Sequence, residues 1–147
     1  MVSDKEHVEE MKKLQADQRQ KRLDSKKLDR GLVLVHTGNG KGKSSSAFGV
    51  ITRALGWGHK VGLVQYIKGT WKTGERNFFK QFEDSITWHT MGEGFTWDTQ
   101  DRNRDIEAAK AAMQVSAEML RSGDFDLVVL DEINIVLRYD YLDVQDV

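Results

Sequence analysis

Apolar and polar residues alternate in blocks along most of the chain, and the spacing inside each block predicts its secondary structure. Short apolar runs rich in β-branched residues are typical of strands buried on both faces. Longer segments carry apolar residues three and four positions apart, which is the spacing of one helix face. The predicted strands cover residues 32–36, 60–69, 85–91 and 125–132. The predicted helices cover residues 44–56, 75–82, 104–122 and 133–142, and residues 143–147 resemble the start of another helix.

This alternation of strands and helices predicts an α/β fold, with a mostly parallel sheet and flanking helices. In such sheets, ligands bind beyond the carboxyl ends of the strands. Three unusual segments follow predicted strands: a glycine-rich loop after the first, the polar loop 92–104 after the third, and two acids at the end of the fourth. We therefore expect these segments to converge on one side of the sheet.

The first 30 residues have a different character from the rest of the chain. They are dense in charges of both signs, lack glycine and proline, and carry only a thin apolar stripe. The segment 1–30 is expected to be either a solvated, charged arm or a helix that docks on its own domain or on a partner subunit. Residues 31–147 are expected to form a single ligand-binding domain.

Composition narrows the function classes. A chain of 147 residues has the size of one compact domain, and its net charge of −1 gives no sign of nucleic-acid binding. The absence of cysteine excludes a disulfide framework, a zinc–thiolate site and a cysteine nucleophile. Because there is neither a membrane-length apolar run nor a signal-peptide core, a cytoplasmic protein without membrane partners is expected.

The glycine-rich stretch "HTGNGKGKSSSAFG" (36–49) has the parts of a phosphate-binding loop. Such a loop needs glycines so that backbone N–H groups can face the anion, and then a lysine, a hydroxyl and a helix N-terminus. These parts are supplied by Gly38, Gly40, Gly42, Lys43 and Ser44. The loop also follows a predicted strand and precedes a predicted helix, so it indicates a nucleoside triphosphate site.

Two further features extend this interpretation. Asp131 and Glu132 end an apolar strand, where an acid reaches the Mg²⁺ shell in P-loop proteins. Phe95 and Trp97 alternate in a polar loop, and they either offer a flat apolar surface to a large planar ligand or fold back into the core. From the residues alone, an ATPase motor, a kinase and a transferase that uses another part of ATP remain open.

Four blocks together resemble the P-loop type of ATP:corrinoid adenosyltransferases, the cobalamin adenosyltransferases. The blocks are "TGNGKGKSS", "VQYIKGTWKTGERN", "GFTWDTQDR" and "VVLDEINIVLRYDYLDV". The resemblance runs from about Gly31 to the last residue, and it accounts for Thr37, where the general P-loop pattern has glycine. It implies a reaction in which Co(I) of a reduced corrinoid attacks the 5′-carbon of ATP and inorganic triphosphate leaves. ATP would lie in the loop in the reverse sense to hydrolytic P-loop enzymes.

The resemblance also implies roles for individual residues. Lys41 and Lys43 would neutralise the triphosphate, Ser44 and Glu132 would hold Mg²⁺, and Phe95 with Trp97 would press on the lower face of the corrinoid. The catalytic residues expected in this way are Lys41, Lys43, Phe95 and Trp97. The residues expected to cradle the nucleotide are Gly38, Asn39, Gly40, Lys41, Gly42, Lys43, Ser44 and Ser45.

Relatives of this type imply partners as well. The resemblance to them implies a homodimer, in which the N-terminal helix covers the neighbouring active site, and a reductant of the flavoprotein type as the source of electrons. They also continue beyond the C-terminal residue of this chain, so the fold is expected to lack the last elements of the family. Two alternatives to adenosyl transfer are an ATP-hydrolysing switch or motor, with Glu132 orienting water, and a nucleotide- or corrinoid-binding module without catalysis.

Overall fold

The computed structural model describes residues 4–25, 30–67, 73–91 and 101–147. Contacts divide the chain into two units, Met1–Val35 and His36–Val147. In the first unit, residues Asp4–Asp24 form a helix, α1. Its first turn is acidic and its last turn is basic, which matches the dipole of a helix. None of the residues of α1 is buried.

The second unit contains the sheet and the remaining helices. Its helices are α2 (Lys43–Gly56), α3 (Gly74–Phe79), α4 (Arg102–Ser122) and α5 (Ile133–Arg138), with 3₁₀ turns at Lys80–Phe82 and Val144–Asp146. Its strands are β1 (Val61–Gln65), β2 (Ile86–Thr90) and β3 (Leu127–Asp131). No helix within the described ranges is both long enough and apolar enough to cross a bilayer.

The three strands form a parallel sheet in the order β2-β1-β3. Gln65 at the end of β1 is in register with Thr90 at the end of β2 and with Asp131 at the end of β3. The carboxyl ends of the three strands therefore lie side by side. The predicted α/β class, with a parallel sheet flanked by helices, is confirmed.

Side chains alternate between the two faces of the sheet, and each face has its own hydrophobic cluster. Val61 and Leu63 pack on one face against α2 and α3, in a cluster with Ile51 and Phe79. On the other face, Val64 belongs to a cluster formed with residues of α4 and α5. The sheet is thus the middle layer between helices on both sides.

Helix boundaries follow local capping. Helix α4 begins two residues earlier than predicted because Asp101 accepts hydrogen bonds from the backbone N–H groups of Asn103 and Arg104, at 3.1 and 3.2 Å. It ends at Gly123, whose φ of 74° stops the helix. The helix predicted over 133–142 ends earlier, at Arg138, and the segment 143–147 forms only a 3₁₀ turn.

The predicted first strand, 32–36, is wrong for the described structure. Residues 31–37 have no regular secondary structure, and Leu32, Val33, Leu34 and Val35 are 68–90% exposed. A strand needs a neighbour that accepts and donates ladder hydrogen bonds. Among the described strands, β3 pairs only with β1, and no strand pairs with 32–36. Residues 32–36 have the composition of a strand, but composition does not show whether a neighbouring strand is available to pair with them.

Candidate active site

The glycine-rich loop leads directly into α2. Gly38 and Gly42 have φ values of 129° and 101°, in the region that favours glycine. Gly42 is the N-cap of α2, its carbonyl accepts from the N–H of Ser46 at 2.9 Å, and as a glycine it provides no side-chain cap. The N–H groups of the first turn are therefore available to an anion.

The lysine before the helix folds over the loop. The Lys43 ammonium donates to the carbonyl oxygens of Gly38 and Gly40, at 2.8 and 2.5 Å. This places one positive charge at the centre of the loop, next to the N-terminus of α2. The other predicted nucleotide residues, Asn39, Lys41 and Ser45, are exposed in the same stretch.

The loop hydroxyl contacts the end of the third strand. Ser44 Oγ donates to Asp131 Oδ1 at 3.1 Å, and both residues are half-buried. The family resemblance implies Ser44 and Glu132 as metal ligands, whereas in the structure the Ser44 hydroxyl bonds to Asp131. Glu132 follows immediately, in a left-handed conformation with φ 64°, at the start of α5. The predicted hydroxyl and both predicted acids are thus brought together.

The electrostatics of this cluster are coupled. Burial and then the negative charge of Asp131 raise the pKa of Glu132, while the positive charge of Lys43 acts in the opposite direction. Among the described residues, no group of three or more His, Cys, Asp or Glu side chains is placed to hold a metal ion. A cation here would therefore take its other ligands from a hydroxyl, from phosphate oxygens or from water.

Sequence reasoning missed a set of polar residues beside this cluster. Gln65 donates to Asp131 Oδ2 at 3.0 Å and accepts from Trp88 Nε1 at 2.8 Å and from Thr90 Oγ1 at 3.3 Å. Arg76 donates to Thr90 Oγ1 at 3.2 Å, and its guanidinium lies 4.9 Å from the centre of the Trp88 ring. The available signal was the alternation along the strands, since Gln65, Thr90 and Asp131 each continue the face that carries apolar residues two positions earlier.

The predicted aromatic pair lies outside the described residues. Phe95 and Trp97 fall within 92–100, so the site defined here consists of the loop, the start of α2 and the three strand ends.

A family model and three relatives described below indicate the same protein family. The model of a family described as "ATP:corrinoid adenosyltransferase BtuR/CobO/CobP" matches residues 29–147. The chain is 59% identical over 119 residues to a corrinoid adenosyltransferase of Pseudomonas aeruginosa, covering 81% of this chain and 59% of that protein. It is 46% identical over 145 residues to one from Sinorhizobium sp, covering 98% and 67% of the two chains.

A third relative, the corrinoid adenosyltransferase CobA of Salmonella typhimurium, is 41% identical over 146 residues, and the match covers 99% of this chain. The match covers 73% of the Salmonella protein, against 59% of the Pseudomonas one. The chain therefore spans roughly three fifths to three quarters of the length of these relatives.

Proposed function

Because the chain belongs to the ATP:corrinoid adenosyltransferase family, we propose that it transfers the 5′-deoxyadenosyl group of ATP to the Co(I) ion of a reduced corrinoid. A cobalt–carbon bond forms, the bond between C5′ and its phosphate oxygen breaks, and the electron pair leaves with inorganic triphosphate. The observation that carries this proposal is the meeting of the glycine loop, Lys43 and the Ser44–Asp131 pair at one edge of the sheet.

The loop is suited to the triphosphate. Backbone N–H groups at the start of α2 and the ammonium of Lys43 provide fixed positive charge, and the exposed Lys41 adds a second cation. Such groups stabilise the charge that develops on a departing triphosphate more than they stabilise bound ATP. Since the nucleophile belongs to the corrinoid, the protein needs no serine, cysteine or general base of its own. Its work is to position the two reactants.

The acidic side of the site fits Mg²⁺, which prefers oxygen ligands and retains several waters. The oxygen atoms present are the Ser44 hydroxyl and the carboxylates of Asp131 and Glu132. We propose that Ser44 with Glu132 or Asp131 holds the ion of the Mg·ATP complex. When bound, Mg²⁺ neutralises phosphate charge, and the protein residues fix its place beside the loop.

The residues proposed to contact the corrinoid are inferred from the family resemblance. We retain the proposal that Phe95 and Trp97 press on the lower face of the corrinoid and exclude a lower ligand from cobalt, which makes Co(II) easier to reduce. Their replacement by alanine should then impair adenosylation that starts from Co(II) more than adenosylation that starts from chemically prepared Co(I). Equal losses from both starting states would contradict the role. Trp57→Ala is the matched control, since Trp57 is 79% exposed at the far end of α2.

The assembly and the setting belong to the same proposal. We propose a homodimer, with α1 available to cover the neighbouring subunit's site because none of its residues is buried. A flavoprotein-type reductant and a cytoplasmic location fit the need to keep cobalt reduced. The alternative of ATP hydrolysis finds no support among the relatives described above.

One assay tests the proposed reaction. The chain is incubated with ATP, Mg²⁺ and a chemically reduced corrinoid, and the phosphate products are separated. Inorganic triphosphate together with a light-sensitive cobalt–carbon product is the expected result. ADP and phosphate formed without corrinoid would indicate a hydrolytic enzyme instead. Binding of ATP and corrinoid without any product would indicate a binding module that lacks catalytic activity.

A further inference from the structure

Hydrogen bonds link the ends of all three strands through one amide side chain. The Gln65 Nε2 group donates to Asp131 Oδ2 at 3.0 Å, while Ser44 donates to the other oxygen of the same carboxylate at 3.1 Å. The Gln65 Oε1 atom accepts from Trp88 Nε1 at 2.8 Å and from Thr90 Oγ1 at 3.3 Å. Gln65 therefore joins the carboxylate of β3 to two donors of β2.

The chemistry of these partners fixes which end of the amide faces which strand. An indole N–H can only donate, so the atom of Gln65 that faces Trp88 must be the oxygen. The NH₂ group then faces Asp131, whose ionised carboxylate can only accept. A flipped amide would place its NH₂ group against the indole N–H and its oxygen against Asp131 Oδ2, so the arrangement admits a single orientation.

The indole is itself held in place. The Trp88 ring lies 5.8 Å from the ring of Phe48 and 6.1 Å from the ring of Phe79, measured between centroids, and it is half-buried. The guanidinium of Arg76 covers the ring at 4.9 Å. These contacts restrict the direction of the indole N–H, and so they restrict the amide of Gln65.

The carboxylate gains most from this restraint. The terminal torsion of an aspartate side chain is broad, so a single hydrogen bond leaves its two oxygens free to exchange places. Donors on both oxygens, from different elements, remove that freedom, and bonds to an ionised acceptor are the stronger kind. Asp131 is then preset, with Oδ1 toward the hydroxyl of Ser44.

We propose that Gln65 is a positioning residue for the metal-binding side of the site, acting through Asp131. This inference rests on the proposed function, because it takes the Ser44–Asp131–Glu132 cluster as the place where Mg²⁺ accompanies ATP. In this proposal Gln65 acts on the metal side through its hydrogen bond to Asp131 Oδ2. Residues that orient metal ligands in this way change metal affinity or activity by about 10–100-fold when they are replaced.

The test separates the loop from the metal side by measuring ATP affinity by calorimetry with Mg²⁺ and again in EDTA. Gln65→Leu removes the amide at similar size. It should leave the affinity in EDTA within about twofold of wild type. The tightening produced by Mg²⁺ should fall by about tenfold or more. Gln81→Leu is the matched control, because Gln81 is exposed and its one hydrogen bond among the described residues goes to the carbonyl of Phe78. It should behave as wild type.

A second variant keeps the test independent of folding defects. Trp88→Phe keeps the aromatic packing, removes the donor that orients the amide, and leaves Thr90 as the remaining donor. It should lose part of the Mg²⁺ effect, in the same direction as Gln65→Leu. Melting curves of each variant show whether it is folded at the temperature of measurement.

The outcomes separate this inference from the proposed function. Unchanged Mg²⁺ tightening in Gln65→Leu, with normal ATP binding, overturns the positioning role and leaves the nucleotide site standing. Equal loss of affinity in EDTA and in Mg²⁺ also overturns it, because the defect then lies in the loop. Failure of the wild-type chain to bind ATP under either condition refutes the proposed function, and the inference falls with it.

Discussion

Gly42 offers a direct test of why the loop contains glycine. It caps α2 with φ 101° and ψ 1°, and a Cβ atom built on it meets no atom of the described residues within 4 Å. Space is therefore not what requires glycine at this position. The requirement is conformational, since L-residues rarely adopt this backbone geometry.

The size of the effect follows from the backbone alone. A left-handed conformation costs an alanine about 1–2 kcal/mol, so Gly42→Ala should destabilise the unit by roughly that amount. Gly49 lies inside α2, and no atom in the described part of the chain lies within 4 Å of its Cβ position. Gly49→Ala should therefore stabilise the unit by about 0.5–1 kcal/mol. The two alanine variants should differ by about 1.5–3 kcal/mol in the free energy of unfolding.

Urea denaturation measures this difference. With a slope of about 1–3 kcal/mol per molar urea, the two midpoints should be separated by roughly 1 M. Gly42→Asn provides a sharper comparison, because asparagine is larger than alanine but tolerates left-handed geometry. It should cost less than Gly42→Ala. A greater cost for asparagine, or equal midpoints for the two alanine variants, would refute the conformational explanation.

Three further predictions address the site and the core. Lys43→Ala should weaken ATP binding by about tenfold or more, since hydrogen bonds to charged groups are worth about 1.5–3 kcal/mol. Titration calorimetry measures the affinity, with Lys80→Ala as the exposed control. Unchanged affinity would contradict the assignment of the loop to ATP. The raised pKa of Glu132 means that its stabilising effect is fully present below its ordinary value of 4.5 and is lost as pH rises through the raised value. Glu132→Gln should therefore gain stability relative to wild type as the pH rises above 4.5 in urea melts, with the exposed Glu107→Gln variant as the control. Gly62→Val should cost about 1–3 kcal/mol in the same melts, because a Cβ at Gly62 lies 2.8 Å from the Met119 sulfur; a variant as stable as wild type would show that Met119 moves aside freely.

Much of the fold could be predicted because periodicity reports burial. The apolar spacing of 44–56 and 104–122 predicted α2 and α4, and the three β-branched runs that pair in the sheet were located to within a few residues. The glycine-rich loop could be predicted equally well. Gly38 and Gly42 have φ values of 129° and 101°, and glycine is the residue that adopts such values most readily.

The pairing of strands with one another could not be predicted in the same way. The run 32–36 has the composition of a buried strand, yet its side chains are exposed and it forms no ladder among the described residues. A strand is defined by hydrogen bonds to a neighbour that is distant in sequence, and composition alone does not identify that neighbour. The prediction of a strand over 32–36 therefore failed, whereas the predictions of β1, β2 and β3 succeeded.

The same argument explains why Gln65 escaped notice and why its role depends on register. Val61, Leu63 and Gln65 share one face of β1, as do Leu127, Val129 and Asp131 of β3, and the register places Gln65 beside Asp131. A shift of one residue would turn every side chain of a strand to the opposite face. The amide would then lie opposite the wrong neighbour, and Asp131 would lose its second donor. A glutamine at the end of an apolar strand becomes a site residue only through that pairing, which the apolar packing of the preceding positions enforces.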